Sequence, residues 1–305
     1  FMKRELTYII QETDGTAAPL TVQSFLKSRG YSHAVIVFLK KTPEGILKNG
    51  VWARAHDPLL PGDCLQVRIV EDSSSDHIVP RPLPFPVVYE DEDLLVVNKP
   101  ADMPIHPSQG NYENTLANAA AWYFKEKGES FVYRCINRLD RDTTGLLILA
   151  RHAYSAALLS RMVSARQIKR EYLAVVRGTP DVSGIIDAPI GRKEGSTIER
   201  RVDFEHGEPA RTHYELLYSE GGYSLVRLRL DTGRTHQIRV HMKYLGHPLP
   251  GDFLYCPDYT KIKRQALHSC RLSFLHPVTG HPLSFTAPLP DDMRSFFPSV
   301  SLNTL

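Results

Sequence analysis

Cysteine is scarce in this chain, and its spacing shows no pairing. The 305 residues contain four cysteines without a CxxC pair: Cys64, Cys135, Cys256 and Cys270. This spacing predicts neither a zinc site nor a disulfide framework, which fits a reducing compartment. The sequence also lacks the roughly 20 consecutive apolar residues that a membrane helix needs, and its N-terminus has no long apolar segment. We therefore expect a soluble, cytoplasmic protein with no membrane partner.

Nucleotide and metal motifs are also missing. The sequence contains neither a P-loop nor a dinucleotide fingerprint, so it shows no motif for binding a nucleotide cofactor. His236 and His241 are the one histidine pair that suggests a metal. Five residues place their side chains about 140° apart on a helix and on opposite faces of a strand. Because neither geometry gives two ligands on one side, we predict no metal site.

Positive charge is modest overall but uneven along the chain. The formal net charge is +3, with 42% hydrophobic and 23% charged residues, an ordinary globular balance. Residues 131–177, however, carry nine Lys or Arg residues against three acidic ones. This excess would attract a polyanion, although some of these charges also fit a solvated helix face.

The chain divides into a small and a large unit. Residues 1–72 predict two helices, capped by Thr21 and Ser32, followed by a hairpin. Residues 73–86 are rich in serine and proline, which favours an extended, semi-rigid spacer. Residues 87–297 form the large domain, and residues 298–305 form a tail. The length suits one large domain with a small one.

Residues 131–151 hold the strongest candidate site. The apolar run at residues 146–150 predicts a buried strand, and Asp140 lies on the basic loop before it. In this setting Asp140 is either a nucleophile or base, or an arginine partner that shapes the turn. From residue chemistry alone, the structural role is the more frequent one.

Several motifs in this sequence resemble those of RluA-type pseudouridine synthases. Residues 137–140 (NRLD) with 142–146 (DTTGL) resemble the signature loop, although the family usually carries His at the position of Asn137 and often Ser at that of Thr144. Residues 90–100 (EDEDLLVVNKP), with Lys99, are similar to the opening motif. Residues 169–176 (KREYLAVV) resemble the second motif, and residues 231–241 (DTGRTHQIRVH) resemble the third. The resemblance covers about residues 87–290.

This resemblance implies isomerisation of uridine to pseudouridine within structured RNA, without a cofactor. It implies that Asp140 is the nucleophile or the base that starts the reaction, and that Arg234 pairs with it. Tyr172 would lie against the target base and ribose and is a candidate acceptor of the ribose proton. Arg138 would fill the space left when the uridine leaves its stack. We expect ribosomal RNA as the substrate, with transfer RNA as the runner-up.

The implied fold is α+β: a catalytic domain on a mixed, mainly antiparallel sheet, preceded by a small α/β unit. That unit resembles the RNA-binding domain often fused to such enzymes, and a purely structural module fits equally well. We take a monomer as the expectation, although the sequence leaves the oligomeric state open.

Two further functions remain possible at this stage. One is a non-catalytic RNA-binding protein that retains the fold. The other is a carboxylate-dependent hydrolase, which usually needs a second acidic group; Asp142 is the nearest, and it fits a loop cap better. The polar segment 178–209 either follows an RNA backbone or is a solvated hairpin, and its basic residues are Arg192, Lys193, Arg200 and Arg201.

Overall fold

The small domain is a four-stranded antiparallel sheet covered by two helices. The structure is a computed structural model that describes residues 1–14 and 19–300, so most of the predicted tail lies outside the described residues. The strand order is β1-β4-β2-β3. The elements are β1 (Met2–Ile9), α1 (Val22–Ser28), α2 (His33–Lys41), β2 (Ile46–Lys48), β3 (Val51–Trp52) and β4 (Cys64–Glu71).

The two predicted helix caps are confirmed. The Thr21 hydroxyl accepts the N–H of Ser24, and the Ser32 hydroxyl accepts that of Val35. The sequence analysis missed β1, which pairs along its whole length with β4. Partly buried and exposed residues alternate along it, but the partly buried side includes Arg4 and the exposed side includes Ile9, so the strand lacks a clear apolar pattern.

The large domain is built on a nine-stranded sheet. Its order is β5-β6-β7-β14-β8-β13-β12-β9, with β15 beside β14. Among the described residues only β7 and β14 run parallel, so the predicted α+β, mainly antiparallel class is confirmed. None of the helices described could cross a membrane. The elements are β5 (Val87–Glu90), β6 (Leu94–Lys99), α3 (Leu116–Glu126), β7 (Thr144–Ala150), α4 (Ala153–Ser164), β8 (Lys169–Arg177), β9 (Ser183–Asp187), β10 (Ile190–Arg192), β11 (Arg200–Val202), β12 (Arg211–Glu220), β13 (Tyr223–Leu230), α5 (Gln237–Tyr244), β14 (Leu267–Leu275), β15 (Pro282–Thr286) and α6 (Asp291–Arg294).

The central strands are buried on both faces. Leu147 and Leu149 of β7 pack with α3 and α5 on one face, whereas Leu146 and Ile148 pack with α4 on the other. Side chains alternate between the faces of a strand, so covering both faces requires a continuous apolar run. This explains why residues 146–150 are all aliphatic and why the loop before them is rigidly anchored.

Gly145 lets β7 approach β14 closely at the base of this loop. Its φ is +114°, and an added Cβ would lie 2.2 Å from the carbonyl oxygen of Ser269. Both the backbone conformation and the space therefore require glycine. This is the physical reason for the glycine that follows the two threonines of the signature loop.

Replacing Gly145 by alanine is expected to destabilise the fold by about 3 kcal/mol, because the clash adds to the cost of positive φ. Urea denaturation followed by circular dichroism measures this difference. Gly246→Ala is the matched control: Gly246 has a φ of +89° but no atom within 4 Å of an added Cβ. That variant should lose only about 1 kcal/mol, and equal losses would contradict the steric argument.

The serine- and proline-rich segment is attached to the large domain. The backbone N–H of Tyr133 donates to the Ser75 hydroxyl, and that of Phe131 donates to the Ser74 hydroxyl. Leu83 and Phe85 pack against the core of the large domain. The predicted spacer is thus a strap that runs beside the chain leading to Asp140.

The two domains also contact each other directly. The rings of Tyr31 and Tyr154 stack with centroids 3.7 Å apart. The Glu71 carboxylate receives both terminal nitrogens of Arg134, each at 2.9 Å, and the backbone N–H of Ala153. Stacked aromatics and a bidentate ion pair hold the small domain against α4.

Candidate active site

A wide cleft opens where three motifs meet. Its volume is about 1020 Å³, and Asp140, Tyr172 and Arg239 line it. Asp140 comes from the loop before β7, Tyr172 from β8 and Arg239 from α5. A rigid sheet therefore presents side chains from three distant parts of the sequence to one cavity.

Asp140 forms a short ion pair with Arg239. Nη1 of Arg239 lies 2.7 Å from Oδ2 of Asp140. The Asp140 side chain is 30% exposed, whereas that of Arg239 is 1% exposed. The carboxylate thus faces the cleft while its cation is hidden behind it. A fixed, partly exposed carboxylate is the arrangement that a nucleophile or general base requires.

Arg239 is itself fixed by Asp252. Its Nε and Nη2 donate to the two carboxylate oxygens of Asp252 at 2.6 and 2.8 Å, and Asp252 is fully buried. Burial lowers the pKa of Arg239, but the hydrogen bonds to Asp252 and the charge of Asp140 raise it overall. All three guanidinium nitrogens are used, so Arg239 is held in one orientation. The tyrosine ring of Tyr255 lies 5.0 Å from its guanidinium carbon.

The prediction that Arg234 pairs with Asp140 is wrong. Arg234 instead binds the carboxylate of Glu208 and, through Nε, the carbonyl of Pro209 at 3.1 Å. The same motif contains both arginines. Arg234 precedes α5, whereas Arg239 lies within it and reaches Asp140. Sequence reasoning missed Arg239 and its partner Asp252. The usable signal was that an arginine in the interior of a buried helix needs carboxylate partners.

His236 lies between α5 and Asp140. It occupies the cap position of α5, with a φ of +58° and no side-chain capping bond. Its Nδ1 is 2.9 Å from the Tyr255 hydroxyl, and its Nε2 is 4.0 Å from Oδ2 of Asp140. Burial lowers the pKa of His236, with Asp140 opposing the shift, which favours a neutral ring at neutral pH.

Tyr172 lies in the cleft wall as predicted from the second motif. It is in the middle of β8 and is 4% exposed. Burial raises the pKa of its hydroxyl; Arg170 opposes this rise and Asp140 adds to it. The hydroxyl therefore keeps its proton at neutral pH.

Arg138 is exposed at the mouth of the cleft, two residues before Asp140. The two positions at which the chain departs from the family pattern lie behind it. Asn137 accepts the N–H of Ile148 at 2.9 Å, while its Nδ2 has no partner in the part of the chain that the structure describes. The Thr144 hydroxyl lies 2.8 Å from Nδ1 of His268. Both side chains anchor the loop.

Lys99 anchors the same loop from below. Its ammonium group donates to the carbonyls of Pro100, Met103 and Arg141 at 2.7, 2.9 and 2.7 Å. Burial lowers the pKa of Lys99 to about 7, while the charges of Asp142 and Asp140 oppose the shift. The lysine of the opening motif is thus a tether for the backbone next to Asp140.

The two histidines considered as metal ligands have separate environments. His241 is buried, with Nδ1 2.8 Å from the Thr212 hydroxyl and Nε2 2.8 Å from the carbonyl of Ala188. His236 faces Asp140 as described above.

Comparisons with known proteins show the family of this chain. Residues 93–244 match the family model described as RNA pseudouridylate synthase. An uncharacterized RNA pseudouridine synthase of Bacillus subtilis, YjbO, is 39% identical over 275 residues, which are 90% of this chain and 97% of that protein. This chain belongs to the RNA pseudouridylate synthase family. The resemblance seen in the motifs is therefore confirmed.

Two further matches are a curated relative and a solved structure. Ribosomal large subunit pseudouridine synthase D of Xanthomonas campestris is 39% identical over 264 residues, covering 81% of this chain and 78% of that protein. Among solved structures, human RNA pseudouridylate synthase domain containing 1 matches with a TM-score of 0.56 and 28% identity, covering 67% of this chain and 83% of that one.

Proposed function

We propose that this pseudouridine synthase isomerises specific uridines of large-subunit ribosomal RNA, with Asp140 as its catalytic residue. The observation that carries the catalytic assignment is the arrangement of Asp140, Arg239 and Asp252, because it holds one exposed carboxylate at the base of a wide cleft. The ribosomal substrate is supported by relatives such as the Xanthomonas campestris enzyme, which are named for the large ribosomal subunit.

Each side chain of the cleft has a distinct role in this proposal. Asp140 either attacks the anomeric carbon of the ribose, with uracil leaving as the glycosidic bond breaks, or removes a ribose proton, with uracil leaving as the glycal forms. Both routes need the fixed carboxylate. Arg239 orients that carboxylate. Tyr172 packs against the extruded base and takes part in transfer of the ribose proton. Arg138, exposed at the mouth, fills the place in the RNA stack that the uridine leaves. Its planar guanidinium combines stacking with positive charge.

The test is tritium release from RNA labelled at carbon five of uracil, because formation of the new carbon-carbon bond releases that hydrogen. Unmodified large-subunit ribosomal RNA transcripts should lose tritium in stoichiometric amounts, corresponding to one or a few sites. Unmodified transfer RNA transcripts, at equal uridine concentration, should lose none. Release from transfer RNA alone would assign the runner-up substrate, and release from neither RNA would contradict the proposal.

Tyr172→Phe is expected to lower kcat about a hundredfold while KM changes less than threefold. The variant keeps the ring that packs in the cleft wall and removes only the hydroxyl between Arg170 and Asp140. Single-turnover tritium release separates the chemical step from RNA binding. Tyr214→Phe is the control, because Tyr214 is a buried strand tyrosine that does not line the cleft. Equal rates for both variants would remove the Tyr172 hydroxyl from proton transfer.

A further inference from the structure

A second cavity lies beside the active-site cleft and shares a wall with it. Its volume is about 370 Å³, within the range of ligand sites. Gly233 and Arg234 line both cavities. His236, two residues after Arg234, lies 4.0 Å from Asp140. Since two residues span at most about 7 Å, the second cavity lies within one or two nucleotides of Asp140.

The lining of this cavity contains a pair of like charges. In the hairpin of β10 and β11, Arg192 lies directly opposite Arg200. Opposite residues of a strand pair project from the same face, and like charges in that position destabilise the pair. Both arginines line the cavity. Within residues 1–14 and 19–300, Arg192 has no ion-pair partner, and the Arg200 guanidinium donates only to the carbonyls of Ile198 and Glu199.

The opposite face of the same hairpin is neutralised. Arg201 projects away from the cavity and lies 3.5 Å from a carboxylate oxygen of Asp203. At the tip, Lys193 pairs with Glu199 at 2.8 Å. Positive charge is therefore left unbalanced only on the face that turns toward the cavity, which indicates an anion as the missing partner.

Arg234 adds a third cation from the opposite wall. Its partner Glu208 is the only acidic residue of the described lining, and the Glu208 side chain is 68% exposed. An ion pair this exposed contributes little stability, so a better acceptor can displace it. The three arginines come from three chain segments and converge on one space.

We propose that this cavity, lined by the unneutralised pair Arg192 and Arg200 and by Arg234, binds a backbone phosphate of a nucleotide that flanks the target uridine. The assignment rests on the proposed function, because it takes RNA as the occupant of the neighbouring cleft. Guanidinium groups donate two hydrogen bonds in the plane of a phosphate oxygen pair, so arginines suit this anion. A phosphate held here fixes which uridine of the strand reaches Asp140. Arg234 then belongs to substrate positioning.

The test compares Arg192→Ala and Arg192→Ala/Arg200→Ala with Arg201→Ala. The control removes the same charge from the neutralised face of the same hairpin. We expect the double variant to raise KM for ribosomal RNA transcripts about tenfold, with kcat within twofold of the wild type. The slope of log affinity against log salt, measured by filter binding, should fall by about 1, the value for one lost phosphate contact. Arg201→Ala should change neither quantity more than twofold.

Glu208→Gln is expected to change KM in the opposite direction. Releasing Arg234 from the carboxylate should lower KM two- to threefold, because an acidic competitor leaves the cavity. A rise in KM for this variant, or a double variant indistinguishable from Arg201→Ala, would overturn the assignment. Arg192 is exposed and has no described partner, so the single variant tests the site even where the double variant folds poorly.

Two further arms separate this inference from the proposed function. Filter binding requires no turnover. An inactive wild-type protein would contradict the proposed function, and the salt slopes would still test whether the cavity binds an RNA phosphate. Inorganic phosphate at constant ionic strength should compete with RNA and raise KM of the wild type, while kcat stays the same as in chloride. A phosphate-specific change in kcat that disappears in the double variant would overturn the RNA assignment, because it would identify a free anion as the ligand.

Discussion

Asp140→Asn is expected to abolish tritium release, with a loss of about 10⁴-fold in kcat. The substitution keeps the size of the side chain and an oxygen that accepts from Nη1 of Arg239, now 2.7 Å from the carboxylate. It removes the negative charge on which both nucleophilic attack and proton removal depend. RNA affinity should stay within threefold of the wild type, as filter binding will show.

Asp142→Asn is the matched control for this variant. Asp142 belongs to the same loop and binds the N–H of Asp102 and the side chain of Arg141, but it does not line the cleft. We expect this variant to keep at least a fifth of the wild-type rate. More than one hundredth of the wild-type kcat in Asp140→Asn would be incompatible with Asp140 as the catalytic group. Equal losses in both variants would point to a general effect on the loop.

Arg239→Lys is expected to lower kcat/KM about 10³-fold and the free energy of unfolding by about 2 kcal/mol. Lysine keeps the charge but has one nitrogen, whereas Arg239 uses three nitrogens to join Asp140 to Asp252. One carboxylate therefore loses its partner: either buried Asp252, which reduces stability, or Asp140, which loses its fixed position. Urea denaturation and single-turnover assays at a temperature where the variant is fully folded measure the two effects separately.

Arg234→Lys separates the two arginines of the motif. Arg234 was assigned to Asp140 from the sequence, and the structure places it on Glu208 instead. Because lysine retains its positive charge, the variant should keep kcat within twofold and lose no more than about 0.5 kcal/mol of stability. A large fall in kcat for Arg234→Lys together with an active Arg239→Lys would contradict the geometry of the site.

The sequence predicted the local elements of the site better than its long-range pairing. Residues 146–150 predicted a buried strand, because a short all-aliphatic run is typical of one. Hydrophobic periodicity could not distinguish Arg239 from Arg234 as the partner of Asp140, since every residue from Gln237 to Met242 is buried. Because this stretch has no exposed side, the burial pattern gives no indication of which side meets Asp140. That orientation depends on Asp252, thirteen residues away and on a different segment.

The arrangement of the domains was even less accessible to sequence. Alternating prolines predicted a spacer because proline stiffens an isolated chain. The strap is instead fixed by hydrogen bonds from residues 131 and 133, whose partners Ser74 and Ser75 read only as linker serines. Likewise, Tyr31 and Tyr154 carry no local signal that they stack. These contacts join residues that are 57, 58 and 123 positions apart in the sequence, and they become visible only in three dimensions.

The contact between Glu71 and Arg134 has a consequence for the evolution and engineering of this enzyme. Arg134 lies six residues before Asp140, and its partner belongs to the last strand of the small domain. The small domain therefore helps to position the chain segment that leads to the catalytic centre. A shortened version comprising only the large domain would leave Arg134 without its carboxylate partner and expose Tyr154 and the apolar side of α4. Lineages that discard the leading domain would need compensating changes on both surfaces.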